Sequence, residues 1–145
     1  MAISIRFGWR LMNHIESGLG NPLPAGISPF LKRLPCKVGR LADPPRFLGR
    51  MRELLAPGGQ LIADSFDLRF GADAARLAEL TQKEAAGRYF GEVDLRFEYK
   101  GRSGAPFSVL HIDYQTLARI AKRHGWHCEL IGSDSGHYLA RAQPE

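Results

Sequence analysis

No apolar run in this sequence approaches the ~20 residues that a membrane-spanning helix needs. The N-terminus alternates apolar with polar residues where a signal peptide would carry a continuous apolar core. Both absences point to a cytoplasmic protein without a membrane partner. Cysteine is scarce: Cys36 and Cys128 lie far apart and neither has a CxxC partner, so neither a disulfide framework nor a metal cluster is expected. Both read as unpaired thiols, Cys128 within a strand. His124 and His127 straddle a predicted helix stop, and no carboxylate or thiolate at ligand spacing completes a tetrahedral set, so no metal is assigned. His14, His111 and His137 are isolated. No Ser-His-Asp or Cys-His arrangement can be drawn, and no catalytic residue is assigned.

Charge is present but uneven. Up to residue 58 there are 9 Lys or Arg against 3 Asp or Glu, whereas the remainder carries 11 against 12. The basic positions of the first half are dispersed and lack the interleaved aromatics that stack bases, so they read as a solvated face and nucleic acid is not the expected partner. At 145 residues, with ordinary apolar and charged content, the chain is long enough to bury roughly two-thirds of its unfolded surface.

The richest segment is Arg46 to Asp67. Phe47, Leu48, Met51, Leu54 and Leu55 recur at helical spacing, Pro57-Gly58-Gly59 stops the helix, and Leu61-Ile62-Ala63 follows as a short apolar run. Asp43 is a predicted N-cap, Pro44 and Pro45 suit the first turn, and Gly58 suits the left-handed position past the helix end. A strand flanked so tightly by a helix is normally an inner strand of a parallel sheet, whose ligands bind outside the carboxyl ends of the strands. Here that end is Asp64-Ser65-Phe66-Asp67.

The run Glu53 to Asp64, with its Leu-Leu-Ala-Pro-Gly-Gly-Gln-Leu core, resembles a block of the class I S-adenosylmethionine-dependent methyltransferases. In that family the block forms the helix before the fifth strand, its turn and the strand itself. The later elements keep the family's order: a helix from Tyr114 to His124, a strand near Cys128 to Ile131 and a final strand from His137 to Arg141. The fold class implied is α/β, the C-terminal part of a doubly wound Rossmann-like methyltransferase sheet with a β-hairpin insertion. The cofactor implied is S-adenosylmethionine and the implied partner a small-molecule acceptor. Methyl transfer from a sulfonium asks mainly for positioning in a dry pocket, so the family leaves few catalytic side chains to find.

The first forty residues fit that pattern poorly. Ile3, Ile5, Phe7, Trp9 and Leu11 alternate with polar or glycine positions, as in a half-exposed strand of edge type. Asn21 to Pro35 holds four prolines and reads as a long loop. Glu16-Ser17-Gly18-Leu19-Gly20 imitates the family's cofactor loop, which gives N–H groups to the methionine carboxylate. Only 36 residues separate Gly20 from Pro57, however, where four crossovers of a dozen or more residues would need on the order of 70. Leu11-Met12-Asn13 resembles the end of the fourth strand, which puts Asn13 on the cofactor side. The expected organisation is an irregular, basic, Pro- and Gly-rich segment over 1–40 and a methyltransferase-like α/β region over 41–145.

Downstream, Ala72 to Ala86 is rich in helix formers, with Ala74, Leu77, Ala78 and Thr81 able to share a face. Val93, Leu95, Phe97 and Tyr99 alternate with charged residues; after a turn at Gly101 to Gly104 comes the run Phe107 to Ile112. This predicts an antiparallel hairpin, with its aromatics in the core and Glu92 and Asp94 on a solvated edge. Asp113 should cap the following helix and Gly125 end it.

Asp64, Ser65 and Asp67 are the candidate substrate-binding residues, placed where such a sheet opens to orient an acceptor or take its proton. In the bland alternative Asp67 caps a helix and Asp64 bonds a loop amide. Two functions remain open: a methyltransferase-like protein, incomplete and inactive as this chain, or a non-catalytic α/β remnant that binds a partner. An exposed sheet edge would also favour self-association.

Overall fold

The computed structural model describes residues 2–6 and 38–145. The helix α1 (Pro44–Leu54) and strand β2 (Gln60–Phe66) arise where periodicity and the Pro-Gly-Gly stop place them. Gly58 takes the left-handed φ of +73°, which releases the chain from the helix without a Cβ clash. Asp43 stands at the N-cap, but its carboxylate turns backwards. Oδ2 accepts from the backbone N–H groups of Gly39 and Arg40 at 2.8 and 2.9 Å and makes no bond to the helix itself. Pro45, at N2, lacks one of the two N–H groups that such a cap can bond.

Strand β1 (Ala2–Arg6) pairs in parallel with β2, with Ile3 opposite Leu61 and Ile5 opposite Ala63. It therefore occupies the position beside the fifth strand where Leu11-Met12-Asn13 was expected, and Asn13 lies outside the described residues. The helix α2 (Ala74–Ala85) and hairpin strand β3 (Glu92–Leu95) come next, followed by the short pair β4 (Glu98–Tyr99) and β5 (Arg102–Ser103). Strand β6 (Phe107–Leu110), helix α3 (Tyr114–Arg123), β7 (Trp126–Asp134) and β8 (His137–Pro144) complete the fold. The main sheet has the order β1-β2-β8-β7, with β8 antiparallel to both neighbours.

Alternation along β2 and β8 divides the sheet into two faces. Leu61, Ala63, Tyr138, Ala140 and Ala142 are buried, whereas Leu139 on the opposite face is 37% exposed. Helices α1 and α3 lie together on the buried face, where Phe47, Leu48, Met51 and Ala121 meet Leu61, Trp126 and Ala142. Burying each such side chain contributes roughly 1.5–3 kcal/mol. Among the described residues the second helical layer of a doubly wound sheet is not seen.

The predicted hairpin exists as two nested ladders. β3 pairs with β6 from Glu92↔Leu110 to Leu95↔Phe107, and β4 pairs with β5. Its turn falls at Lys100-Gly101, both with positive φ (49° and 72°), and not at Gly101 to Gly104. Two successive left-handed residues match the twist of the flanking strands, and a Gly-containing pair supplies them most easily. The same solution recurs at Ser135-Gly136 between β7 and β8.

In α2 the buried side chain is Leu80, while Leu77 is 41% exposed. Two expectations about burial are corrected. The hairpin aromatics do not enter the core: Phe97 is 55% and Tyr99 73% exposed, since their ladder projects beyond the main sheet. Glu92 is buried. Its Oε1 accepts the Leu41 N–H at 2.8 Å and its Oε2 accepts Arg40 Nη1 at 3.1 Å. Asp94 extends the lattice by accepting from Arg40 at 2.8 Å, Arg88 at 2.9 Å and the Ser108 hydroxyl at 2.7 Å.

Candidate functional site

The carboxyl end of β2 does not bring the three predicted residues onto one surface. Asp64 and Ser65 alternate to opposite faces of the sheet, opposite Leu139 and Tyr138 respectively. Ser65 is buried, and its Oγ accepts the backbone N–H of Ile112 at 3.0 Å, tying the segment after β6 to the sheet. Asp67 leaves the strand end and forms a tight turn. Its Oδ1 accepts from the Arg69 backbone N–H at 2.9 Å and from Nε at 3.0 Å, and its Oδ2 accepts Nη2 at 2.8 Å. Asp67 therefore caps no helix; Asp73 caps α2, accepting from the Arg76 N–H at 2.8 Å.

Arg69 carries the site further than its sequence pattern indicates. Its guanidinium lies 4.4 Å from the Phe90 ring centroid and 4.0 Å from Oδ2 of Asp113. Asp113 caps α3 as predicted, its Oδ1 accepting the Thr116 N–H at 3.0 Å. Its other oxygen accepts the Tyr89 hydroxyl at 2.6 Å, and that hydroxyl in turn accepts the Asp113 backbone N–H at 2.9 Å. Burial alone would raise the Asp113 carboxyl, but the bonds from Tyr89 and Thr116 and the nearby Arg69 together hold it below the ordinary aspartate range. Burial, aided by the Asp113 carboxylate, pushes the Tyr89 phenol well above its ordinary value. The only local hint of this cluster in the sequence is the Asp-x-Arg spacing of Asp67 and Arg69; Tyr89 gave none.

Nearby, the His137 ring lies tilted against Phe66, with ring centroids 4.5 Å apart. Burial, reinforced by His137, lowers the His111 imidazole below its usual pKa, and among the described residues its buried Nδ1 has no hydrogen-bond partner. The Tyr138 hydroxyl is likewise buried, with no close hydrogen bond among the described residues. Among the described residues no group of three or more His, Cys, Asp or Glu side chains is placed to hold a metal. No described helix is long and apolar enough to cross a membrane.

Cys128 is a free thiol on β7, pushed up to about 11 by burial. At pH 8 it should therefore hold about one hundredth of the thiolate of an ordinary cysteine. In a Cys36→Ser background, alkylation of the native chain by iodoacetamide should be correspondingly slow and should accelerate in urea. Fast stoichiometric labelling without urea would contradict that burial.

Two cavities bear on ligand binding. One, of about 20 Å³, lies inside the core between α1, α3 and the sheet, lined by Phe47, Leu48, Leu117 and Ala140 among others. The other, an open groove of about 470 Å³, is bordered by Arg52, Pro57, Gly58, Gly59 and His127 at the amino end of β2. Neither reaches Asp67.

The element order and the parallel-then-antiparallel sheet can be set beside known structures. A SAM-dependent methyltransferase from Bacteroides fragilis, solved in complex with S-adenosyl-L-homocysteine, is 35% identical with a TM-score of 0.58. The match covers 73% of this chain. This chain has a class I methyltransferase-like fold. It spans 42% of the length of that methyltransferase. Two DhpI complexes, one with SAH and one with SAM-HEP, are 19% and 21% identical with TM-scores of 0.42 and 0.43, too distant to add to the assignment. They match 69% and 68% of this chain over 38% and 42% of their own. No family model matches the chain, and no curated protein matches it.

Proposed function

We propose that the chain is a methyltransferase-like protein of S-adenosylmethionine chemistry, that its acceptor is a small molecule, and that the chain alone holds the cofactor weakly and is inactive. The observation that carries the reading is the 35% identity over most of this chain to a methyltransferase solved with the demethylated cofactor. Asp64 and Asp67 are the acceptor-side residues of this reading. Ser65 serves the same end by anchoring the link before α3 to β2, and Asn13 belongs to the cofactor side by resemblance alone.

The described residues do not by themselves make a site for the cofactor. Its carboxylate and ribose need an array of backbone N–H groups and a free acid at adjoining strand ends. Here the Asp67 carboxylate is already committed to Arg69 through three bonds. Both described cavities lie away from that strand end. Losing two charge-assisted hydrogen bonds of roughly 1.5–3 kcal/mol each weakens binding by some two to four orders of magnitude.

A second reading, a non-catalytic partner-binding module, draws on the face of the sheet opposite α1 and α3, where Leu139 is exposed. Isothermal titration with S-adenosylmethionine separates the two. Binding in the millimolar range is expected. Micromolar one-to-one binding would show a complete cofactor site, and no heat at millimolar cofactor would favour the module.

A further inference from the structure

We infer that the root of the β3–β6 hairpin is an acid-sensitive latch: a proton added to His111 opens the hairpin root from the carboxyl end of β2 without unfolding α1 or the main sheet. The latch involves no cofactor or acceptor, so its test stands apart from the function proposed above. Where the chain leaves β6, three successive backbone N–H groups are held by three different parts of the molecule. His111 N–H donates to the Gly91 carbonyl at 2.7 Å, Ile112 N–H to Ser65 Oγ at 3.0 Å and Asp113 N–H to the Tyr89 hydroxyl at 2.9 Å. The side chain of the first of these residues is half-buried, and among the described residues its buried Nδ1 has no hydrogen-bond partner.

A neutral imidazole can keep its proton on Nε2 and leave Nδ1 bare, whereas the imidazolium carries a proton on both nitrogens. Nδ1–H is then a buried charged donor with nothing to receive it, which costs more than the bare acceptor did. The surroundings do not offset that charge. The influences on His111 are burial and His137 of β8, and both lower its pKa. The acids on the adjoining elements have other partners: Asp67 accepts from Arg69, Asp113 from Tyr89 and Thr116, and Glu92 from Arg40 and Leu41. Asp134, across the ladder from His137, accepts the Ser135 hydroxyl, and Asp64 stands on β2 opposite Leu139. Opening the root lets water reach the imidazolium and relieves the cost, and it bares the strand end at Ser65 and Asp67.

Because the folded pKa of His111 lies below its unfolded value, its contribution to closure is complete above about pH 6.5 and is lost as pH falls through the lower folded value. The test is amide hydrogen exchange of the full chain followed by NMR, expressed as protection factors so that the intrinsic pH dependence of exchange cancels. From about pH 7.5 to about pH 5.5 the His111, Ile112 and Asp113 amides should lose protection, by up to about tenfold for an open-state histidine of pKa about 6.5. The loss should be insensitive to dilute urea, since a local opening exposes little surface. It should vanish in His111→Gln and shrink in His137→Gln, which removes the second cation. Unchanged protection would mean that the ring takes its proton by turning into water, and overturns the latch. A loss that persists in His111→Gln, or one that grows with urea in step with the Leu48 and Met51 amides of α1, overturns it equally. So does a His111 ring that titrates at or above about 6.5 in the native parent chain, a measurement that needs no variant to fold.

Discussion

Gly91→Ala is expected to cost about 3–5 kcal/mol, much of the stability of a domain this size. A Cβ built on Gly91 would stand 1.7 Å from the carbonyl oxygen of His111 and 2.8 Å from its carbonyl carbon. These are backbone atoms, so no side-chain rotation relieves the overlap. The approach is itself bonded, with the His111 N–H donating to the Gly91 carbonyl at 2.7 Å. Separating the strands by the distance a methyl group requires would break that bond. It would also disturb the neighbouring ladder and the Glu92 carboxylate that holds Leu41. Gly49→Ala in α1 is the control. Among the described residues, and leaving aside the helix's own backbone, nothing lies within 4 Å of the point where its new methyl would stand, so helix propensity dominates and stability should rise by roughly 0.5–1 kcal/mol. Urea unfolding of both variants checks the pair of opposite signs; a Gly91→Ala chain as stable as the parent would mean that the two backbones do not approach so closely.

Asp113→Ala should cost about 2–4 kcal/mol, because one carboxylate performs several tasks. It caps α3 through Thr116, a contribution of roughly 0.5–2 kcal/mol by itself. It also receives the half-buried Tyr89 hydroxyl, which the variant leaves without an acceptor. Asp113→Asn keeps an oxygen for the cap and should cost less, but it removes a titrating group. The folded-state pKa of Asp113 lies below its unfolded value. Its contribution is therefore complete above the ordinary aspartate pKa of about 3.9 and is lost as pH falls through the lower folded value. Stability measured down that acid limb should fall less steeply in Asp113→Asn than in the parent. An unchanged acid limb would remove Asp113 from the account of acid unfolding.

Much of the frame was legible because it is written in local chemistry. Residues 44 to 66 carry a helical stripe, prolines at the first turn, a Pro-Gly-Gly stop and an apolar run, and each of these acts within a few residues of itself. The alternation of residues 93 to 99 is likewise a period-two signal, and the antiparallel hairpin followed from it. Periodicity reports which residues share a side; it does not report whether anything lies against that side. Phe97 and Tyr99 therefore read as core and are exposed.

The candidate site was legible only as a place. The carboxyl end of β2, the capping role of Asp113 and the helix–turn–strand block before them are determined by the sequence alone, since strand ends, caps and turns depend on near neighbours. The tertiary structure decided the rest: that Asp64 and Ser65 face opposite ways, that Asp67 is spent on Arg69, and that Tyr89 and Asp113 complete the cluster across 24 residues of chain. It likewise decided that Glu92 is buried, because the cations and N–H that make a buried carboxylate tolerable come from Arg40 and Leu41, more than fifty positions away. No local pattern encodes a partner at that distance; only the packing of the hairpin against the entry to α1 brings the charges together.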